Sequence, residues 1–192
     1  NHYYTDSSTT AGFIYIYRDP RDIAVSYSNH INKNIDQTID YILNGQIMEK
    51  QKINNKMPEI TLNWQNHYLS WKKFSTEVPS LFIKYEDMLL DTKKTLLEII
   101  FFINKITNLQ IDNNGDLIGN ILQSTSFESL KEMENSQGFG EATDNNPFFR
   151  KGTAKQWKSI LTEDQLNEYL SLFEKYFLKS FTSRLTDYSD PK

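Results

Sequence analysis

Short apolar runs and longer amphipathic stretches alternate along the chain. The run Phe13–Arg18 (FIYIYR) is rich in β-branched and aromatic residues and apolar on both faces, which is typical of a buried parallel strand. Asp19 and Pro20 then supply an N-cap and a first-turn proline. Because apolar residues recur at i, i+4 and i+8 from Ile23, the pattern predicts a helix from about residue 20 to 33.

The rest of the chain predicts a second strand over 81–85 and several further helices. Helices are predicted over 36–50, 92–104, 116–123 and 126–134. Another is predicted to begin at Pro58 and to carry Ile60, Trp64 and Trp71 on one face. The last predicted helix begins with a Thr162–Gln165 capping box. The polar stretch 135–156 predicts a long loop that becomes ordered on a ligand. Strands that alternate with helices indicate an α/β fold with a parallel sheet. No repeat or internal linker divides the chain, which predicts one domain over 1–192.

Composition and charge narrow the classes of function. A hydrophobic fraction of 38%, with 14% aromatic residues, is ordinary for a folded globular protein. The net charge of −4 comes without a basic stripe, which argues against a nucleic-acid partner. The chain contains no cysteine, so disulfides, cysteine-ligated zinc and a cysteine nucleophile are excluded. No apolar run reaches the roughly 20 residues of a membrane span, so no membrane partner is expected.

Arg18 stands at the point where the first strand meets the first helix. Ligands of open parallel sheets bind at the carboxyl ends of strands, and a helix N-terminus favours anions. The guanidinium offers a planar fork of donors, and Ser26 lies two turns into the helix on the same face as its opening residues. This pattern predicts a phosphate-binding pair. The alternative interpretation is an ion pair between Arg18 and Asp19 or Asp22.

A second group of cations lies in the segment FFRKGTAKQWK, residues 148–158. Arg150 and Lys151 adjoin Gly152, where the backbone can approach an anion closely and successive N–H groups can surround it. The flanking aromatic residues would anchor such a loop. The alternative interpretation is an ordinary solvated pair of surface cations.

Four segments, in this order, resemble motifs of the cytosolic-type sulfotransferases, which use 3′-phosphoadenosine 5′-phosphosulfate (PAPS). The segments are YIYRDPRDIAVSYSNH, FIKYEDMLLDTKKTLLEIIFFI, STSFESL and RKGTAKQWK. The resemblance extends from about Ala11 to Phe177 and implies a three-layer, P-loop-like α/β fold around a central parallel sheet. One departure is that the family usually has Gly-Asp before the tryptophan, where this chain has Lys155 and Gln156.

The resemblance implies two groups of nucleotide-binding residues. The first would surround the 3′-phosphate of PAPS or of its product adenosine 3′,5′-bisphosphate (PAP): Arg18, Ser26, Arg150, Lys151 and the amide of Gly152. The second would surround the adenine: Tyr85 at the ring, Thr125 at the base edge and Phe127 stacked on its face. A phosphate with close to two negative charges suits a guanidinium and further cations. Stacking is worth ~1–3 kcal/mol per base, although core packing is the alternative interpretation of Phe127.

The segments that would bind the 5′-phosphosulfate and act as base are not found. In the family, a glycine-containing loop with a lysine and threonines follows the first strand, and a Lys-x-His segment supplies the base. No glycine here has that context, and His2 is the only histidine ahead of Arg18. We therefore expect an N-terminally incomplete sulfotransferase domain that lacks its first strand and phosphate loop. It would be inactive by itself, and no catalytic residue is assigned.

Two other interpretations stay open: a non-catalytic PAP-binding or interaction domain, and a P-loop-like kinase fragment, which would need Mg²⁺ but shows no motif to hold it. The resemblance implies a cytoplasmic transferase without a metal. The polar segments 32–60 and 135–149 have no basic run, which favours a small-molecule acceptor with a hydroxyl or amine. Lys158 and Thr162 match the family's dimer segment, but Glu163 replaces an apolar residue, so at most a weak homodimer is expected.

Overall fold

A computed structural model describes residues 6–48, 59–111, 114–142 and 146–177. Within these ranges the strands are β1 (Phe13–Tyr17), β2 (Gln46–Met48), β3 (Glu59–Thr61) and β4 (Ser80–Lys84). The helices are α1 (Pro20–His30), α2 (Ile35–Asn44), α3 (Trp64–Phe74), α4 (Tyr85–Leu90), α5 (Thr92–Thr107), α6 (Gly115–Ser124), α7 (Phe127–Gln137) and α8 (Glu163–Phe177). A 3₁₀ turn covers Gln156–Ser159.

The two predicted strands pair with each other in parallel. β1 and β4 are in register from Phe13 opposite Ser80 to Tyr17 opposite Lys84. The described part of the connection between them contains three helices and the short antiparallel pair β2–β3. It has the length that a crossover between parallel strands requires. The predicted α/β class with a parallel sheet is therefore confirmed.

Aromatic side chains fill the space between one face of this sheet and α3. The ring of Phe13 lies 4.8 Å from that of Trp71 and 5.8 Å from that of Phe82. Tyr68 lies 6.0 Å from Phe82, so the side chains spaced i, i+3 and i+4 along α3 meet alternate residues of the strands. α3 thus forms one outer layer of the fold.

Helix α5 packs along β4 and forms a second layer. Ile83 points away from the Phe82 face because side chains alternate along a strand, and it is 4% exposed. Ile100 and Phe102 of α5 are buried as well. With 16 residues, α5 is the longest helix in the described ranges, and none of the helices there is both long and apolar enough to cross a membrane.

A separate hydrophobic core joins α1, α2 and α8. Its buried members are Ala24, Val25, Ile39, Ile42, Leu161 and Tyr169. Helix α1 therefore has two functions in the fold. Its first turn follows the sheet directly, and its remaining turns pack against α2 and α8. This packing fixes the position of its N-terminus relative to the sheet.

Several predicted helices have different bounds in the structure; the helix predicted from about residue 20 to 33, for instance, ends at His30. The helix predicted over 36–50 ends at Asn44, because Gly45 has φ +69° and the chain then enters β2. The prediction that Ile60 is helical is wrong, since it lies in β3, and α3 begins after Asn63, whose side chain accepts from the N–H of Asn66 at 2.7 Å. Pro58, from which that helix was predicted to begin, is outside the described residues.

Candidate functional site

Arg18 follows β1 directly and lies at the carboxyl end of both parallel strands. Asp19 caps α1 by accepting from the N–H of Arg21 at 2.9 Å. The backbone N–H of Asp19 donates to Oε1 of Glu86, at the start of α4, at 3.0 Å. The β1–α1 junction is thus joined to the end of β4, which is the edge at which ligands of parallel sheets bind.

Three contacts orient the guanidinium of Arg18, whose side chain is 17% exposed. Nη2 donates to the carbonyl oxygen of Thr153 at 2.8 Å and lies 3.8 Å from Oδ2 of Asp22. Cζ lies 4.4 Å from the centre of the Tyr85 ring. The alternative of an Asp22 ion pair is therefore present, yet it does not use every donor. Nε is buried and has no hydrogen-bond partner among the described residues, which fits a site for an anion.

A short hydrogen-bonded path connects Arg18 with Arg150. The Thr153 carbonyl that accepts from Arg18 also accepts from Nε2 of Gln156 at 2.9 Å. Oε1 of Gln156 in turn accepts from Nη2 of Arg150 at 2.9 Å. Two guanidinium groups that are far apart in sequence are thereby linked through one carbonyl and one side-chain amide.

Residues 148–157, which we name the cationic loop, are held by two buried carboxylates. Glu134 of α7 accepts from the N–H groups of Phe148 and Phe149 at 2.6 and 2.9 Å. Asp22 of α1 accepts from those of Lys155 and Trp157 at 2.6 and 3.1 Å. The prediction of a loop over 135–156 is wrong at its start, because α7 continues through Gln137.

Gly152 lies against the ring of Phe127. A Cβ at this glycine would lie 2.4 to 2.8 Å from three ring atoms of Phe127, closer than real contacts allow. The residue also has φ +62°, in the left-handed region that favours glycine. The structure thus brings Arg18, Tyr85, Phe127 and Gly152 into one neighbourhood through the contacts of the cationic loop.

The remaining predicted site residues are less tightly connected. Thr125 is exposed at the C-terminal end of α6, where its hydroxyl donates to the carbonyl of Ile121 at 2.7 Å. Lys151 is exposed in the cationic loop. Ser26 is partly buried on α1, and no described contact joins it to Arg18. Their part in the site stays a prediction.

Sequence reasoning missed three residues that organise this site. Glu134 carries no local signal, because its partners lie 14 and 15 residues away. The partners of Gln156 lie only 3 and 6 residues away, but these hydrogen bonds belong to no recognisable sequence motif. Asp22 was considered only as a partner of Arg18. Its position in the first turn of α1, one helical turn after Arg18, was the available signal for a second use.

The histidines do not form a catalytic group in the described part of the chain. His2 lies outside the described residues. His30 is in the last turn of α1, with its ring 6.1 Å from that of Phe148. His67 of α3 is hydrogen-bonded through Nδ1 to the Tyr15 hydroxyl at 2.8 Å. In the described ranges no cluster of acidic, histidine or cysteine side chains could hold a metal ion.

The Tyr15–His67 pair predicts an acid-sensitive contact. Burial, together with the nearby Tyr68, raises the pKa of Tyr15 to about 12, so the phenol stays protonated beside Nδ1 of His67. Burial of part of the imidazole lowers the pKa of His67 below its ordinary 6.5. The unfolded chain then binds this proton more tightly, so stability falls as pH drops below 6.5 and through the folded-state pKa. Titration of the His67 ring by NMR should give a midpoint below 6.5, and a midpoint above it would contradict this contact.

Replacing Lys155 by glycine is expected to stabilise the fold. It has φ +62° and ψ +22°, a conformation that costs a residue with a Cβ about 1–2 kcal/mol. Lys155→Gly removes that strain and keeps the N–H that donates to Asp22, so we expect a gain of about 0.5–1 kcal/mol after the backbone entropy of glycine is subtracted. Urea denaturation measures it. Lys155→Ala, which keeps the Cβ, is the control, and equal stability of the two variants would contradict the strain.

Comparison with known proteins places this geometry among related folds. The family model described as "Sulfotransferase domain" matches residues 7–182. A crystal structure of mouse sulfotransferase SULT7A1 complexed with PAP is similar to the chain with a TM-score of 0.67 and 28% identity. Retinol dehydratase is similar in two complexes, one with retinol and PAP (TM-score 0.64, 21% identity) and one with androsterone and inactive cofactor PAP (0.61, 22%). The search of curated proteins gives no match.

The alignments cover most of this chain but only part of each relative. They include 92% of the chain and 62% of the mouse protein, and 84% of the chain and 46% of retinol dehydratase. At 21–22% identity the likeness to retinol dehydratase shows the fold alone. The P-loop-like sulfotransferase fold predicted from the four sequence motifs is thereby confirmed.

Proposed function

The chain belongs to the sulfotransferase family, and on that premise we propose that it binds PAP and PAPS between the β1–α1 junction and the cationic loop. The observation that carries the proposal is the path from Arg18 through Thr153 and Gln156 to Arg150. It brings two cations to the strand edge where an anion would bind. The PAP in the mouse structure, whose protein is 28% identical, supports the choice of nucleotide.

The phosphate side of the proposed site has donors of the right chemistry. Nε of Arg18 is buried beside Tyr85 without a partner, and a doubly charged 3′-phosphate would supply the acceptor. Arg150 and Lys151 would contribute further positive charge, the N–H of Gly152 a backbone donor, and Ser26 a hydroxyl. Close packing on Phe127 leaves no room for a larger residue than glycine at the point of approach.

The adenine side would be formed by aromatic residues. Tyr85 is the first residue of α4, at the end of β4, and Phe127 is the first residue of α7. The backbone of each residue is therefore held in place by the helix that it begins. Phe127 would stack on the base and Tyr85 would contact its ring. The hydroxyl of Thr125 donates within α6, which leaves the lone pairs of Oγ1 to accept from the exocyclic amine of adenine.

The proposed reaction is transfer of the sulfuryl group from PAPS to a hydroxyl or amine. The acceptor oxygen or nitrogen would form a bond to sulfur as the bond to the bridging phosphate oxygen breaks, and the acceptor proton would pass to a base. PAP would leave. In this chain the nucleotide-binding residues would orient PAPS and offset its charge.

We further infer that the phosphosulfate loop and the base come from a segment other than the described residues. Ile16 of β1 is 56% exposed, whereas parallel sheets are normally covered on both faces. Since no glycine of the 192-residue sequence has the context of that loop, the polypeptide should bind PAP but transfer no sulfuryl group from PAPS to a phenol acceptor. Turnover by that polypeptide would contradict the inference, and absence of turnover in the full natural protein would favour a non-catalytic PAP-binding domain.

A small-molecule acceptor is proposed from composition. The segments 32–60 and 135–149 have no basic run, which argues against a highly charged polysaccharide. Retinol dehydratase was crystallised with retinol and with androsterone, which are small molecules. A cytoplasmic location and a weak homodimer stay predictions.

Calorimetry tests the nucleotide proposal. The protein is titrated with PAP and, in parallel, with adenosine 5′-monophosphate, which lacks the 3′-phosphate. We expect PAP to bind at least about 30-fold more tightly, since the charge-assisted contact of Arg18 with the 3′-phosphate alone is worth about 2–3 kcal/mol. Equal affinities would mean that the 3′-phosphate is not recognised and would overturn the proposal.

A further inference from the structure

We propose that Asp22 and Glu134 are positioning residues that hold the cationic loop in its binding conformation before nucleotide arrives. This inference rests on the proposed function, because it assigns the loop to the 3′-phosphate. It replaces the sequence-based expectation that the loop becomes ordered only on its ligand. Four backbone N–H groups of the loop donate to these two carboxylates.

Glu134 fixes the beginning of the cationic loop. The residue is 7% exposed, and its two carboxylate oxygens accept separately from the N–H groups of Phe148 and Phe149. Among the described residues no lysine or arginine lies within 4.0 Å of it. A buried carboxylate without a cation depends on such donors, so the loop and the carboxylate require each other. Glu134 also shares α7 with Phe127, the ring against which Gly152 packs.

Asp22 fixes the end of the cationic loop and the opposite side of the site together. It is 1% exposed, and its two oxygens accept from the N–H groups of Lys155 and Trp157. The same carboxylate lies 3.8 Å from Nη2 of Arg18. One buried group therefore sets the distance between the loop and the arginine at the end of β1.

Three of the five residues between these anchors are the ones assigned to the phosphate. Arg150, Lys151 and Gly152 lie between the Glu134 contacts at 148 and 149 and the Asp22 contacts at 155 and 157. Fixing both ends removes most of the loop's conformational freedom in advance. Binding then loses less entropy, which raises affinity without any added contact to the ligand.

Hydrogen exchange on the unaltered protein without nucleotide is the first test. The amides of Phe148, Phe149, Lys155 and Trp157 should exchange at least about 100-fold more slowly than an unstructured peptide. The amide of Lys151, an exposed residue of the same loop, is the internal reference. Exchange of the four amides at the unstructured rate, followed by protection only when PAP is added, would overturn the inference even if PAP binds.

Substitutions give the second test. Glu134→Gln and Asp22→Asn keep the shape but place an NH₂ group against one backbone N–H, which leaves a buried donor without an acceptor. We expect each to lower the ratio of PAP affinity to adenosine 5′-monophosphate affinity by about 10-fold. Glu132→Gln, an exposed position on the same helix, is the matched control and should change the ratio less than about 2-fold.

The two tests separate this inference from the proposed function. A general loss of folded protein would lower the apparent affinity for both nucleotides equally and leave the ratio of the two affinities unchanged. An unchanged ratio in both variants therefore counts against a positioning role. If neither variant folds, the exchange experiment on the unaltered protein decides. If the unaltered protein shows no preference for PAP, the proposed function itself fails, whatever the loop amides do.

Discussion

Arg18→Ala is expected to abolish the preference for PAP over adenosine 5′-monophosphate. The guanidinium lies at the carboxyl end of β1, and its Nε is buried without a hydrogen-bond partner among the described residues. Loss of a charge-assisted contact to phosphate costs about 2–3 kcal/mol, so PAP affinity should fall by roughly 30- to 150-fold. The affinity for adenosine 5′-monophosphate should change by less than about 3-fold, because that ligand has no 3′-phosphate.

Two further variants show whether charge or geometry matters at this position. Arg18→Lys keeps the charge but loses the planar fork, so we expect an intermediate PAP affinity. Lys105→Ala removes an exposed cation in the last turn of α5 and controls for net charge. Calorimetry at constant salt measures the PAP affinity of the unaltered protein and of the Arg18→Ala, Arg18→Lys and Lys105→Ala variants. An equal loss in Arg18→Ala and Lys105→Ala would reduce the role of Arg18 to bulk electrostatics and contradict the assignment.

Gly152→Ala is expected to be strongly damaging although it adds only one methyl group. The new Cβ would lie within 2.8 Å of three ring atoms of Phe127, and the residue would be held at φ +62°. Overpacking and left-handed strain together predict a loss of about 2–4 kcal/mol in the free energy of unfolding. Because either Phe127 or the loop must move, PAP affinity should also fall at least about 10-fold.

Another glycine of the same region provides the control for this substitution. Gly140 has open space where a Cβ would be added and no positive φ, so Gly140→Ala should change stability by less than about 0.5 kcal/mol. Urea denaturation of both variants measures the difference. The double variant Phe127→Ala, Gly152→Ala should recover the part of the loss that comes from the clash. A tolerated Gly152→Ala would mean that the loop does not pack on Phe127.

Local patterns were sufficient to predict the elements that surround Arg18. The apolar run of β1 and the Asp19–Pro20 start of α1 are both found, because each depends on neighbours in the sequence. The Thr162–Gln165 capping box is also confirmed, with reciprocal hydrogen bonds of 3.0 and 3.3 Å. Such signals place the end of a strand, and with it the candidate anion site, without any tertiary information.

Contacts between distant segments could not be predicted in the same way. The hydrogen bonds from the cationic loop to Asp22 join residues that are 133 and 135 positions apart in the sequence. Their donors are backbone N–H groups, which every residue type except proline has, so the sequence does not identify them. The β2–β3 pair was missed because its three-residue strands are too short for a periodic pattern. The bridge through Gln156 arises where the chain departs from the family's usual Gly-Asp, so the resemblance did not indicate it either.

The central claim is that one 3′-phosphate is bound jointly by the β1–α1 junction and the cationic loop. A crystal structure of the protein with PAP tests it most directly. The account predicts phosphate oxygens within about 2.7–3.2 Å of a guanidinium nitrogen of Arg18 and of at least one donor from Arg150, Lys151 or Gly152. A 3′-phosphate that contacts only one of the two regions, or neither of them, would contradict the account.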